Sequence, residues 1–250
     1  MHEFASDAPL CVALSGGMDS VVLLHSLVLQ KRFSSIRALH INHQLSDNAD
    51  SWQRHCETLC ASLEVPLTCI SVDVLSALGT NLEGLESRAR NCRYEAFEKD
   101  IAVGETFLLA HHADDQYETM LLRLMRGAGP SGLSGIPARR GLGLGSLYRP
   151  LLALPRQALH DYAQASQLSW VEDESNQDSR FDRNFCRNEV LPLLATRWPG
   201  YRSCWAKSSQ LLGEADELMQ ALAEFDIADA ATEDSSVLNL GTLQLLSQSR

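Results

Sequence analysis

The chain has 250 residues, 45% of them apolar, with 32 acids against 21 lysines and arginines, a formal net charge of −11. That length fits one large domain or one domain with a smaller appendage, and the composition excludes an intrinsically disordered protein. No apolar run reaches the 18 or more residues of a membrane span, and the acidic start lacks the pattern of a secretory signal, so the cytoplasm is expected, with no membrane partner.

Residues 10–14 form a short apolar run ahead of Ser15-Gly16-Gly17 and predict a buried strand, with a helix over 18–30. Strands are predicted at 36–41, 67–72 and 106–110, and helices at 49–64, 84–99 and 113–126. This alternation predicts an α/β fold with a doubly wound, mainly parallel sheet, Rossmann-like in outline. Residues 127–147 hold seven glycines and two prolines and read as one long functional or mobile loop. Helical patterns follow at 155–166, 182–195 and 201–224. The reading divides the chain into a catalytic domain over 1–200 and the start of a smaller helical domain over 201–250. The ending breaks off in mid-pattern and predicts a truncated chain.

Charge is unevenly spread. Residues 119–160 carry six arginines and no acid, whereas 213–234 carry eight acids and no lysine or arginine. The seven cysteines form no CxxC pair and read as free thiols.

Ligands of open α/β sheets bind beyond the carboxyl ends of the strands, where Ser15, Gly16 and Gly17 fall. Glycines let backbone N–H groups approach an anion, the dipole of the following helix favours it, and the Ser15 and Ser20 hydroxyls are candidate donors. Asp19 repels a bare phosphate, so it asks for a cation, and Mg2+ shared with a polyphosphate supplies one. Asp114, Asp115 and Glu118 open a later helix, with 114 and 118 on one face. They read either as a catalytic cluster or as acids that merely favour a helix N-terminus. His111 and His112 precede them as candidate acid–base groups.

The stretch SGGMDS, residues 15–20, resembles the signature of the PP-loop, or N-type, ATP pyrophosphatases, which split ATP between its α- and β-phosphates. That resemblance implies ATP and Mg2+ as cofactors, with Ser15, Gly16, Gly17, Met18, Asp19 and Ser20 as the nucleotide cradle and Asp19 as the metal ligand. Four further stretches narrow it: HINHQLSDNADSW (40–52), NLEGLESRARNCRYEAF (81–97), AHHADDQYETMLLRLMRGAGPSGLSGI (110–136) and WVEDESNQDSRFDRNFCRNEVLPLL (170–194). Together they resemble the tRNA(Ile)-lysidine synthase family. Such enzymes adenylate the C2 oxygen of the wobble cytidine in a tRNA(Ile) with a CAU anticodon, and free L-lysine then displaces AMP.

The resemblance implies catalytic roles for Asp19, His111, Asp114, Asp115 and Glu118. It assigns nucleotide phosphate contacts to Arg90 and Arg93. It assigns tRNA or substrate contacts to Arg126, Arg139, Arg140, Arg183, Asn184 and Arg187. The carboxylates are expected to hold the lysine ammonium, help position Mg2+, or supply the base. Ser46 stands where many members of the family carry arginine, so no tRNA contact is carried over there. A tRNA thiolase or an amide-forming synthetase of the same superfamily is the alternative. The missing CxxC and the absence of a cysteine at position 2, which is His2, weigh against each in turn. A homodimer is compatible with the sequence but not encoded legibly in it.

Overall fold

The computed structural model describes residues 8–74, 82–232 and 237–247. Six strands, β1 (Leu10–Ala13), β2 (Ile36–Asn42), β3 (Leu67–Ser71), β4 (Thr106–Leu108), β5 (Arg139–Leu142) and β6 (Gly145–Tyr148), form one sheet in the order β3-β2-β1-β4-β6-β5. All pairings are parallel except that of β5 with β6. The strand order turns between β1 and β4. The crevice at their carboxyl ends is where such a sheet takes its ligand.

Helices α1 (Met18–Leu29), α2 (Ala49–Ser62), α3 (Leu82–Asp100) and α4 (Ala113–Met125) alternate with the first four strands. They are followed by α5 (Pro130–Leu133), α6 (Arg156–Ala165), α7 (Asp182–Phe185), α8 (Leu191–Arg197), α9 (Tyr201–Asp229) and α10 (Leu240–Gln244).

Successive residues of β1 point to opposite faces, so the strand feeds two cores. Leu10 and Val12 pack with α1, with Cys56 and Cys60 of α2, and with Leu159 and Ala163 of α6. Cys11 faces Phe97 of α3 and Ile101 just after it, with Phe107 and Leu147 alongside. Each such Leu or Phe contributes about 1.5–3 kcal/mol by leaving water. Cys56 and Cys60 are structural: burial pushes their thiols up to about 12 and about 11.

One expectation is overturned. Residues 127–147 are no open loop, because they contain α5 and the β5–β6 hairpin, whose second strand extends the sheet beside β4. Four of the segment's glycines, Gly132, Gly135, Gly143 and Gly145, serve close packing. Gly143 turns the hairpin with φ of +48°, and a Cβ on Gly145 would collide with the Glu105 carbonyl and Ile101. Side chains bind the rest of the segment: Arg123 donates to the carbonyls of Gly132 and Gly135 at 2.6 and 2.8 Å. Gln116 accepts from the Ile136 amide and donates to its carbonyl, and Ser209 of α9 donates to the Ser134 carbonyl.

Candidate active site

Ser15-Gly16-Gly17 follows β1 and runs into α1, as the motif predicts. Gly16 has φ of +87°, and a Cβ there would sit 3.0 Å from Val171 Cγ2 and 3.1 Å from Cys56 Sγ. Only glycine suits that position. The loop is braced internally: Ser20 Oγ donates to the Gly17 carbonyl at 2.9 Å and accepts from the Ser15 amide at 3.2 Å. The Gly17 amide donates to Ser15 Oγ at 3.2 Å. Ser20 thus shapes the cradle from behind, whereas Ser15, on the exposed side, is placed to meet a ligand. The Val171 amide donates to the Gly16 carbonyl and ties the segment after α6 to the cradle.

Opposite lies the end of β4. His112, Asp114 and Asp115 begin α4, and Asp115 Oδ2 caps it by accepting from the His112 amide at 2.9 Å. The His112 ring is almost fully buried among carboxylates: Nε2 lies 3.6 Å from Asp19 Oδ2, and Nδ1 lies 3.6 and 3.9 Å from Asp115 and Asp114. Burial opposes its protonation, but the nearby carboxylates of Asp19, Asp115 and Asp114 outweigh it and raise its pKa. The sequence offers both histidines as acid–base candidates and the resemblance carries a catalytic role to His111 alone, yet His112 is the group that joins the cradle to the acid cluster. Asp19 Oδ1 is buried and has no protein partner. A polar atom in that state is open to an ordered water or an ion.

The acids differ in their engagement. Glu118 is fully buried, with Oε1 accepting from Arg187 Nε at 2.6 Å and Oε2 from Arg183 Nε at 2.8 Å. Asp115 Oδ1 stands 3.3 and 3.4 Å from the same two guanidiniums. Arg183 and Arg187, expected to contact tRNA or substrate, are engaged by the carboxylates of α4. Arg187 is carried by a π-type turn, Cys186–Val190, between α7 and α8. Pro192 has no N–H for the carbonyl of residue 188, and the Leu191 amide reaches back to Cys186 instead. Asn184 donates to the carbonyls of Ser175 and Asp178 and shapes its own segment.

Asp114 is the most open acid of α4, accepting from the Arg156 amide at 2.8 Å and lying 3.3 Å from Arg202. It lines a cleft of about 530 Å³ together with Arg156, His160, Arg187 and Arg202. A wall with both acids and guanidiniums suits a ligand that carries both charges.

On the other face of the sheet the chemistry reverses. His111 Nδ1 accepts from Arg149 Nε at 3.0 Å. Burial first, then Arg149, Arg183, Arg93 and Arg90, hold His111 well below the usual histidine range. The guanidiniums of Arg90 and Arg140 lie 5.0 and 4.5 Å from the ring centroid of Tyr94, and Arg139 lies 5.1 Å from that of Tyr148. Arg126 is 71% exposed, 3.5 Å from Asp182. Arg90, Arg93 and Arg140 thus stand around Tyr94 and His111, while Arg139 stacks on Tyr148 on the opposite face of the β5–β6 hairpin and Arg126 projects from the end of α4. Arg149, buried in the middle, carries no motif and was missed.

The PP-loop domain family matches residues 2–194. The chain belongs to the PP-loop family. Membership implies ATP as the nucleotide, which the cradle at the β1–β4 edge fits. Among curated relatives, the tRNA(Ile)-lysidine synthase of Serratia proteamaculans is 47% identical over 97% of this chain and 55% of its own length. That of Pseudomonas aeruginosa is 47% identical over 87% of this chain and 49% of its own length. The chain spans about half the length of the curated relatives it matches. In fold it is similar to the U34-tRNA thiolase NcsA of Methanococcus maripaludis, with a TM-score of 0.64, 14% identity, and coverage of 85% of this chain and 75% of that one. Among the described residues no helix is long and apolar enough to cross a membrane.

Proposed function

We propose that the chain is the catalytic part of a tRNA(Ile)-lysidine synthase. It would use ATP to adenylate the C2 oxygen of the wobble cytidine in a CAU anticodon, releasing pyrophosphate, and couple free lysine there with loss of AMP. The observation that carries this reading is the contact of cradle and cleft through one side chain. His112 touches Asp19 beside the nucleotide edge and Asp114 on the wall of the mixed-charge cleft.

Lysine's free amine has a pKa of about 10.4, so a site must take the cation and then accept its proton. Asp114 is the carboxylate we assign to the ammonium, because Glu118 has both oxygens occupied by arginine. Arg156 and Arg202 line the same cleft and suit the amino acid's carboxylate. Asp115 and Glu118 are assigned to holding Arg183 and Arg187 in place around the reacting centre. Arg90, Arg126, Arg139 and Arg140 supply the phosphate-binding surface for tRNA, and such binding weakens steeply with salt. Residues 1–200 would be the catalytic domain and 201–250 a helical tRNA-binding part whose first turn lends Arg202 to the cleft.

Mg2+ fits at Asp19, whose Oδ1 is buried without a partner. Among the described residues no cluster of three or more His, Cys, Asp or Glu forms a closed metal cage. An ion bound by one carboxylate would be completed by phosphate oxygens and water, the usual habit of Mg2+. When bound it would neutralise phosphate charge.

The test is label transfer. Protein, ATP, Mg2+ and labelled lysine are mixed at low salt with tRNA(Ile) of either CAU or GAU anticodon. Label is expected on the CAU species alone, with stoichiometric pyrophosphate. Asp19→Ala is expected to lower pyrophosphate release by about 100-fold or more, as loss of one preorganised electrostatic group does, with an unchanged circular dichroism spectrum. Sulfur transfer, or hydrolysis of ATP without tRNA, would overturn the reading.

A further inference from the structure

His111 and Arg149 form a pair that neither the motif nor the reaction scheme explains. Arg149 follows β6 and is only 3% exposed. Its guanidinium is spent on three acceptors: His111 Nδ1 at 3.0 Å from Nε, the Pro137 carbonyl at 2.6 Å from Nη1, and the Tyr94 hydroxyl at 3.3 Å from Nη2. Arginine has donors only, and its pKa lies far above neutrality. The nitrogen it meets on His111 must therefore present a lone pair. A neutral imidazole with a lone pair on Nδ1 carries its proton on Nε2.

From this geometry we propose that Arg149 is a positioning residue that locks His111 in the Nε2–H form, so that His111 serves the site as a hydrogen-bond donor and not as a general base. The inference rests on the proposed function for its catalytic meaning, because His111 lies just past the end of β4, next in the chain to the His112 that touches Asp19. Its structural half, the tautomer, stands without that reading. A donor at this edge meets the negative charge that accumulates on a phosphate or a developing oxyanion. A base would have to accept a proton at Nε2, the nitrogen that already holds one, and make a cation among Arg149, Arg183, Arg93 and Arg90. Those charges, after burial, hold His111 neutral to well below the usual histidine range. The arrangement also accounts for a guanidinium kept buried among a ring nitrogen, a carbonyl and a phenol.

The experiment is a long-range proton–nitrogen NMR spectrum of protein labelled with 15N-histidine, with the His111 signals assigned by their loss in His111→Gln. The wild type is expected to show a lone-pair-bearing Nδ1 and a protonated Nε2 at neutral pH. A protonated Nδ1 overturns the proposal outright. Arg149→Met is expected to release the lock and bring the two tautomers into exchange, while Arg149→Lys, a donor of the same charge, preserves the Nε2–H form. An unchanged His111 spectrum in a folded Arg149→Met protein also overturns it, and if that variant does not fold the wild-type spectrum still decides.

Pyrophosphate release tests the donor role. The glutamine amide can donate from the position of Nε2, so His111→Gln is expected to retain at least tenfold more activity than His111→Ala and to keep the shape of the wild-type pH profile. Equal loss in both variants, or loss of an acid limb in His111→Gln, would mark a base and sink the donor role. A wild type that releases no pyrophosphate with any tRNA overturns the proposed function instead, and the spectrum still decides the lock.

Discussion

His112 turns toward α1 and stands among Asp19, Asp114 and Asp115, whereas His111, one residue earlier, turns toward α3 and stands among guanidiniums. The two are chemically identical and adjacent on an extended segment, so their side chains fall on opposite faces of the sheet. One is driven toward the cation and the other away from it. A single strand end thereby supplies two groups of different kind to one crevice, an imidazolium-prone ring on the acidic face and a fixed neutral ring on the basic one. The lesson is that local charge, and not residue type, assigns the role.

The largest blow to this division falls on Glu118. It is fully buried and accepts from both Arg183 and Arg187, which in turn reach Asp115, the cap of His112. Removing one partner of a buried ion pair costs about 3–5 kcal/mol. Glu118→Ala should fall at the low end, near 3 kcal/mol in urea denaturation, because the two arginine side chains are 25% and 29% exposed and can turn to water. A loss under about 1 kcal/mol would show that the cluster stabilises little and that Glu118 is free for chemistry.

A finer break comes from pH. For His112 the folded pKa lies above the ordinary 6.5, so the stability it contributes is fully present below 6.5 and is lost as pH rises through the raised value. For His111 the folded pKa lies below 6.5, so its contribution is present above 6.5 and is lost as pH falls toward the depressed value. Proton NMR of the two rings should therefore give midpoints on opposite sides of 6.5. Asp114→Asn should move the His112 midpoint down while leaving that of His111 in place. Midpoints that coincide would erase the contrast between the faces.

The division was only half legible in the sequence. Apolar runs separated by helical periodicity announced the parallel sheet, and SGGMDS announced its ligand edge, because both signals are local. Which of two adjacent histidines meets Asp19 depends on strand orientation, which no local pattern reveals. Arg183 and Arg187 read as ligand-facing because their carboxylate partner lies more than 60 residues away, beyond any i,i+4 rule. The glycines of 127–147 signalled a loop by composition, but a glycine that admits a close backbone looks the same as one that permits motion. A described extended pair, β5 with β6, decided between them.

The gentlest probe of the basic face is Tyr94. Arg90, Arg149, Arg140 and Arg93 together lower its pKa, although burial works in the opposite direction. Its hydroxyl accepts from Arg149, and its ring lies within 5.0 Å of the Arg90 and Arg140 guanidiniums. Tyr94→Phe removes the acceptor and keeps the ring, so it should cost about 1 kcal/mol, the usual worth of one hydrogen bond. Tyr94→Leu removes the ring as well and should cost about 0.5–1 kcal/mol more for each partly exposed cation–π contact. Neither change touches Asp19, Asp114 or Asp115, so the His112 midpoint should stay fixed in both. A His112 shift in Tyr94→Phe would mean that the two faces communicate through the sheet edge, and the separation of the two histidines would then be a matter of degree.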